Sequence, residues 1–357
     1  MKKTCLLTLA AVAAFVVGGL SSAHANDFPQ SFDFKAKLGH GVHVNIQVDV
    51  LTNPDPGCHG KTVLCVHGLG HTGNSFRPFA NALFAGTNNI ERVILLNLPG
   101  RGGSGYPFGR HDVPLFGELG VDDYATILND TLAECEERDI EPSELVGHSM
   151  GGLIIQVAQE QLLSKHSSLK KAFDIKKVVL LTSSVPTDVP HPFFDAGVGV
   201  GLVQNFTDTN NPVTGPVVSL DTPTFQFLFF FNLFNQLVPG APSVSDIDTL
   251  GYKADESVQA SLDTVGTNDM RPVVRRGAFD SSKGTVLRII VGDHDKFNPA
   301  NPLVDPVNVE QGLYEYLTGG DLTHSNLLVV IGTGPVPDTT HDRHINNAAG
   351  VAGESEL

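Results

Sequence analysis

Glu144-Leu145-Val146-Gly147-His148-Ser149-Met150-Gly151-Gly152-Leu153-Ile154-Ile155-Gln156-Val157-Ala158 is the stretch on which the fold turns. An apolar run leads into the pentapeptide Gly147–Gly151, and a helix-compatible run leaves it. A strand that bends abruptly into a helix around a serine holds that serine on a tight corner, and flanking glycines let the two backbones approach closely. The corner lifts the hydroxyl clear of a sheet and sets it at a helix N-terminus, where backbone N–H groups and the helix dipole favour negative charge. Such a place suits a nucleophile whose attack creates an oxyanion. A chance G-x-S-x-G in a chain with 37 glycines is the plain alternative. The strand before and the helix after favour the functional reading.

Outward from this stretch the chain alternates strand and helix signals. Val42–Val50 alternates apolar and polar residues, the period of a half-exposed strand, and Asn53-Pro54-Asp55-Pro56-Gly57 breaks it as a turn. Val63–Val66, Arg92–Leu96, Leu145-Val146, Lys177–Leu181, Val286–Val291 and Leu327–Ile331 are short, nearly continuous apolar runs, as expected of parallel strands covered on both faces. Ser75–Phe84 and Val121–Arg138 have helical periodicity. The pattern predicts an α/β fold with a mostly parallel, doubly wound sheet.

Between Pro186 and Gly284 this rhythm stops, and the segment is rich in Pro, Gly, Asn and Phe, including Phe225-Gln226-Phe227-Leu228-Phe229-Phe230-Phe231. It reads as a lid inserted into the core, with most phenylalanines packing and some facing an apolar substrate. The expected organisation is a signal peptide over 1–25, core over 26–185, lid over 186–284 and core again over 285–357.

The leader is read from Lys2-Lys3, the apolar stretch Leu6–Leu20 and the A-x-A signal Ala23-His24-Ala25. A membrane anchor needs about 20 apolar residues, and this stretch is shorter and interrupted by Thr8, Gly18 and Gly19. The expectation is therefore a secreted or periplasmic protein without a stable membrane anchor. With 23 Lys+Arg against 39 Asp+Glu, the formal net charge is −16, which opposes nucleic acid and anionic membranes. Cys58, Cys65 and Cys135 follow the leader; one disulfide, with Cys58–Cys135 the less strained pairing, and three free thiols are both open. No spacing suggests a metal site, and oligomeric state is not legible.

A serine hydroxyl needs a general base, and the base needs an orienting partner. Ligands sit beyond the carboxyl ends of parallel strands, so the loops there are the place to look. His67-Gly68-Leu69-Gly70 follows Val63–Val66, and the N–H groups of Leu69 and Met150 would pair as oxyanion donors, each worth about 3–4 kcal/mol of barrier. After Val286–Val291 comes Gly292-Asp293-His294-Asp295; Asp295 is better placed to turn inward, and Asp293 is the more natural turn former. After Leu327–Ile331 the candidates for the base are His341, preferred because it comes first, and His344. Gly100-Arg101-Gly102-Gly103-Ser104-Gly105 has the letters of a dinucleotide site, but Pro99 precedes it and Tyr106-Pro107 follows, so no helix opens there. It reads as a structural loop.

Serine, acid and histidine in the order Ser149, Asp295, His341 resemble the α/β-hydrolase superfamily, in a lid-bearing, esterase- or lipase-like form. His67-Gly68, Pro99–Ser104, Gly147–Gly151, Gly292–Asp295 and His341 carry the resemblance across nearly all of the mature chain. It implies Ser149 as nucleophile, His341 as base and acid, Asp295 as orienter, and Leu69 and Met150 as oxyanion donors, with no metal or cofactor. Two features depart from the family pattern: Asn97 stands where an aspartate is frequent, and only the short tail Ile345–Leu357 follows the histidine. The expected activity is hydrolysis of small, apolar carboxylic esters, a range that takes in lactones and lipid-like acyl esters. Amidase or peptidase action, carbon–carbon bond hydrolysis and non-catalytic binding of an apolar ligand are the competing readings.

Overall fold

The computed structural model describes residues 31–38, 41–68, 71–86, 89–105, 120–186, 188–189, 272–292, 306–320, 327–331 and 348–355. The signal-peptide reading over 1–25 lies outside them, as does 190–271 of the lid reading. Among the described residues no helix is long and apolar enough to cross a membrane.

Among the described residues eight strands form one sheet: β1 (Phe32–Lys37), β2 (His43–Thr52), β3 (Lys61–Val66), β4 (Ile90–Leu96), β5 (Glu144–His148), β6 (Lys177–Leu181), β7 (Val286–Gly292) and β8 (Leu327–Ile331). Their spatial order is β1-β2-β4-β3-β5-β6-β7-β8. β2 runs antiparallel to β1 and β4, and all pairings from β4 to β8 are parallel. The described helices are α1 (Arg77–Ala85), α2 (Val121–Glu137), α3 (Met150–Ser164), α4 (Leu169–Phe173), α5 (Pro306–Thr318) and α6 (Ala348–Ser355).

The continuous apolar runs are explained by two cores, one on each face of the sheet. Leu64, Val66, Ile94, Leu96, Leu145, Val178, Leu180, Leu287 and Ile289 point to the face covered by α2, α3 and α5. Val63, Cys65, Val93, Leu95, Val146, Val179, Leu181 and Ile290 point to the other, covered by α1 and α6. Successive residues alternate faces, so a strand buried on both sides must be apolar at every position. β2 lies nearer the edge and keeps the foreseen alternation: Val44, Ile46 and Val48 are buried, Asn45 is exposed and Gln47 half-buried.

α2 starts where Asp123 accepts the N–H of Gly120 at 2.9 Å, and Asp122 and Asp123 place negative charge in its first turn. Its observed span, Val121–Glu137, agrees with the periodicity to one residue. The helix foreseen over 75–84 divides instead into a 3-10 turn, Gly73–Phe76, followed by α1 with a proline in its first turn. β1, α4 and α5 were not foreseen. The short tail still covers the sheet: α6 buries Val351 and Ala352 against the core that holds α1, and Arg288 of β7 donates to the carbonyl of Glu354.

Cys58, Cys65 and Cys135 are free thiols, so the Cys58–Cys135 pairing is not formed. Cys135 packs in the α2–α3 core and Cys65 in the α1–α6 core, with the sheet between them. Residues 272–284, at the end of the expected lid, pack on the core: Val274, Ala278 and Phe279 are fully buried, and Arg275 pairs with Glu160 of α3 at 2.7 Å.

Candidate active site

β5 ends at His148 and α3 begins at Met150, leaving Ser149 alone as the corner residue. Its backbone has φ 53° and ψ −119°. These values fall near about +60° and −120°, the first central position of a type II′ turn, which glycine normally fills. A serine held there stores of order 1–3 kcal/mol and persists only because its surroundings over-determine it. Those surroundings are hydrogen bonds. Ser149 donates its N–H to the Leu181 carbonyl at 3.0 Å, and its own carbonyl accepts from Gly152 at 3.0 Å, Leu153 at 3.4 Å and Ser184 at 3.1 Å.

Close approach explains the glycines. A Cβ on Gly151 would stand 2.1 Å from the Val66 carbonyl oxygen, so α3 touches the end of β3 backbone to backbone. A Cβ on Gly68 would meet the Ser149 Cβ at 3.0 Å and His148 Nδ1 at 2.9 Å. The segment after β3 is thus set directly beside the candidate nucleophile.

His67 fastens that segment. The ring is fully buried; its Nε2 accepts the N–H of Leu98 at 3.2 Å, which leaves Nδ1 to donate to the Gly68 carbonyl at 2.8 Å. Burial, reinforced by the positive charge of Arg101, holds its pKa well below the ordinary histidine value, so the imidazole is neutral. The rings of His71 and His148 stack with centroids 5.5 Å apart, both buried.

The loop after β4 braces the same region. Gly100 donates to Gly105 at 2.9 Å, and the Ser104 hydroxyl donates to Asn97 O at 2.6 Å while accepting Gln47 N–H at 2.8 Å. Residues 98–105 open no helix, as the structural-loop reading requires. Asn97 accepts the N–H of Gly73 at 2.9 Å and donates to Asp49 at 3.0 Å. Burial pushes the Asp49 carboxyl up, partly opposed by the Asn97 hydrogen bond and the Arg77 charge. This network joins β2, β4 and the segment after β3, and no local sequence signal marks it. Gln156 and Thr182, described below, escaped the sequence reading for the same reason.

Of the candidates, Ser149 and Met150 are brought to one corner, both buried. Leu69, Asp295 with its alternative Asp293, and His341 with its alternative His344 lie outside the described residues. The strands that lead to them are in place: β3, β5, β7 and β8 are parallel, so all four end at the edge that carries Ser149. Among the described residues no group of three or more His, Cys, Asp or Glu side chains could hold a metal ion.

Residues 63–353 match the alpha/beta hydrolase family. The chain belongs to that family. Solved structures agree on the fold. An esterase from Thermogutta terrifontis is 15% identical, with 91% of this chain and 96% of that one covered at a TM-score of 0.54. The esterase RhEst1 from Rhodococcus sp. is 16% identical, with 90% and 96% covered at 0.55. A membrane phospholipase A, described as a bacterial virulence factor, is 16% identical, with 98% and 94% covered at 0.55. Among curated protein sequences none matches. At these identities the likeness is one of fold, and the sheet order and the Ser149 corner of this alpha/beta hydrolase are its expression.

Proposed function

We propose that this alpha/beta hydrolase is an exported serine hydrolase of carboxylic esters, lactones and lipid-like acyl esters included. The observation that carries the reading is the conformation of Ser149, φ 53° and ψ −119°, at the carboxyl edge of a parallel sheet and the N-terminus of α3. A strained serine is retained where its position serves chemistry.

In this scheme Ser149 Oγ attacks the ester carbonyl while His341 takes its proton. Asp295 holds the imidazole in the right tautomer and stabilises the imidazolium. The oxyanion lies between the N–H groups of Leu69 and Met150. His341 returns the proton to the leaving alcohol, and a water molecule, activated by the same histidine, releases the acid from the acyl-enzyme. The scheme uses no cofactor. An apolar acyl group is favoured by the phenylalanine-rich stretch Phe225–Phe231, and export by the leader-like residues 1–25. The esterases and the phospholipase A of the same fold act on substrates within this class by name.

A fluorophosphonate probe should label Ser149, and Ser149→Ala should abolish both labelling and turnover of p-nitrophenyl esters. A chain-length series from acetate to palmitate then ranks acyl preference, with matched anilides to separate ester from amide cleavage. Full turnover in the Ser149→Ala protein would end this reading.

A further inference from the structure

Gln156 lies on α3 seven residues, or about two helical turns, beyond Ser149, and so on the same face. Its side chain is fully buried. Nε2 donates to the Ser183 hydroxyl at 2.8 Å and to the Ser184 carbonyl at 3.1 Å, and the Ser183 hydroxyl itself donates to Ser184 O at 2.9 Å. A carbonyl can only accept, so the nitrogen of the amide must be the atom on this side. Gln156 therefore grips the backbone on the far side of residue 184, while the N–H of Ser184 reaches back to the Ser149 carbonyl at 3.1 Å.

The chain gets into this position by turning at Thr182, whose φ is 45° and whose side chain is fully buried. A β-branched residue at positive φ is a genuine outlier. Its N–H donates to Ile290 O at 3.0 Å, and the preceding Leu181 carbonyl accepts the N–H of Ser149. Residues 181–184 thus clasp Ser149 at both of its backbone polar groups.

The consequence lies one atom further on. The peptide joining Ser149 to Met150 is planar and trans, so its N–H points opposite to its C=O. Three donors draw the Ser149 carbonyl toward the body of α3 and the 181–184 turn. The Met150 N–H is accordingly aimed outward, off the helix end.

We propose that Gln156 is a positioning residue for the oxyanion donor: through Ser183 and Ser184 it fixes the Ser149 carbonyl and thereby the direction of the Met150 N–H. This rests on Ser149 being the nucleophile and Met150 a donor. It adds a role that touches neither substrate nor reacting atoms.

The test compares the unsubstituted protein with Gln156→Leu, which stays close in size, removes the donor and adds no methionine. The expected result is a kcat lowered about tenfold, short of the 10²–10³ loss that follows removal of a whole donor, with KM within about twofold. Binding of an alkyl boronic acid, whose tetrahedral adduct uses the oxyanion donors, should weaken by the same factor as kcat. The chain has three methionines, Met1, Met150 and Met270; ¹⁵N-methionine labelling, assigned with Met270→Leu, isolates the Met150 amide. Its proton should move downfield on boronate binding, and less so with Gln156→Leu. Should that variant fail to fold, Gln156→Glu keeps the volume, lacks the amide donors and carries the same expectations. A folded variant with unchanged kcat and an unchanged Met150 response overturns the proposal, as does a loss spread equally over kcat, KM and melting temperature. If Ser149 of the unsubstituted protein takes neither fluorophosphonate nor boronate, the nucleophile reading fails first and this inference falls with it.

Discussion

Adding one methyl group at Gly151 should do what the same addition at Gly312 does not. Its Cβ would lie 2.1 Å from the Val66 carbonyl oxygen and 2.7 Å from that of His67, whereas real Cβ atoms keep at least 3.0 Å from such neighbours. The obstacle is backbone, so no side chain can swing away, and α3 must move from the end of β3 by about 1 Å. Overpacking of this kind costs about 1–3 kcal/mol. For a chain of 357 residues, an unfolding entropy of about 2.1 cal/mol/K per residue turns that into a melting point lowered by about 1–4 °C. The same displacement separates Ser149 and Met150 from the segment after β3, and a misplacement of about 1 Å costs about 10²-fold in rate. Gly312, on α5, is the control, because a Cβ there meets nothing within 4 Å. Gly312→Ala should raise stability by about 0.4–1 kcal/mol through the unfolded chain alone and leave turnover unchanged. Urea titration and calorimetry read the stabilities, and p-nitrophenyl ester turnover reads the rate. If Gly151→Ala melts as high as the unsubstituted protein and keeps its rate, the contact between β3 and α3 has been misread.

Asp49→Asn should raise stability at neutral pH. Burial raises the folded pKa of Asp49 above its ordinary value, so its contribution is fully present below about pH 3.8 and is lost as the pH rises through the folded value. The amide keeps an acceptor for Asn97 and has no such loss, so urea midpoints of the two proteins should diverge as pH rises across that window. A gap that narrows instead would contradict the burial argument. His67→Phe keeps a buried ring but leaves the Leu98 N–H without its acceptor, a cost of about 1–3 kcal/mol; an unchanged thermal midpoint would show that water replaces the imidazole. Iodoacetamide should modify half-buried Cys58 in the native protein and spare Cys65 and Cys135. Burial raises both of those thiols, Cys135 to about 12. Peptide mapping before and after unfolding decides this, and rapid native labelling of Cys135 would refute it.

Much of the fold was legible because each strand writes its burial into its own residues. Val63–Val66 and Val178–Leu181 are apolar without a break, and only a strand covered on both faces needs that. β1, Phe32-Asp33-Phe34-Lys35-Ala36-Lys37, alternates apolar and charged residues instead, and it is the pairing with β2 that reveals it as a strand. α6 was harder still. Ala348–Ser355 contains two glycines and little apolar surface, and it is the burial of Val351 and Ala352 that makes it worth forming.

By itself the sequence determined the class of fold, the family and the corner on which Ser149 stands, because hydrophobic period and G-x-S-x-G are properties of neighbours along the chain. Only the tertiary structure decided what holds that corner. Leu181 and Ser184 grasp Ser149 across 32 and 35 positions of sequence, and Leu98 reaches the His67 ring across 31. Hydrogen bonds of that range are set by how strands are ordered in the sheet, and strand order is fixed by the burial of the whole core rather than by any residue within it.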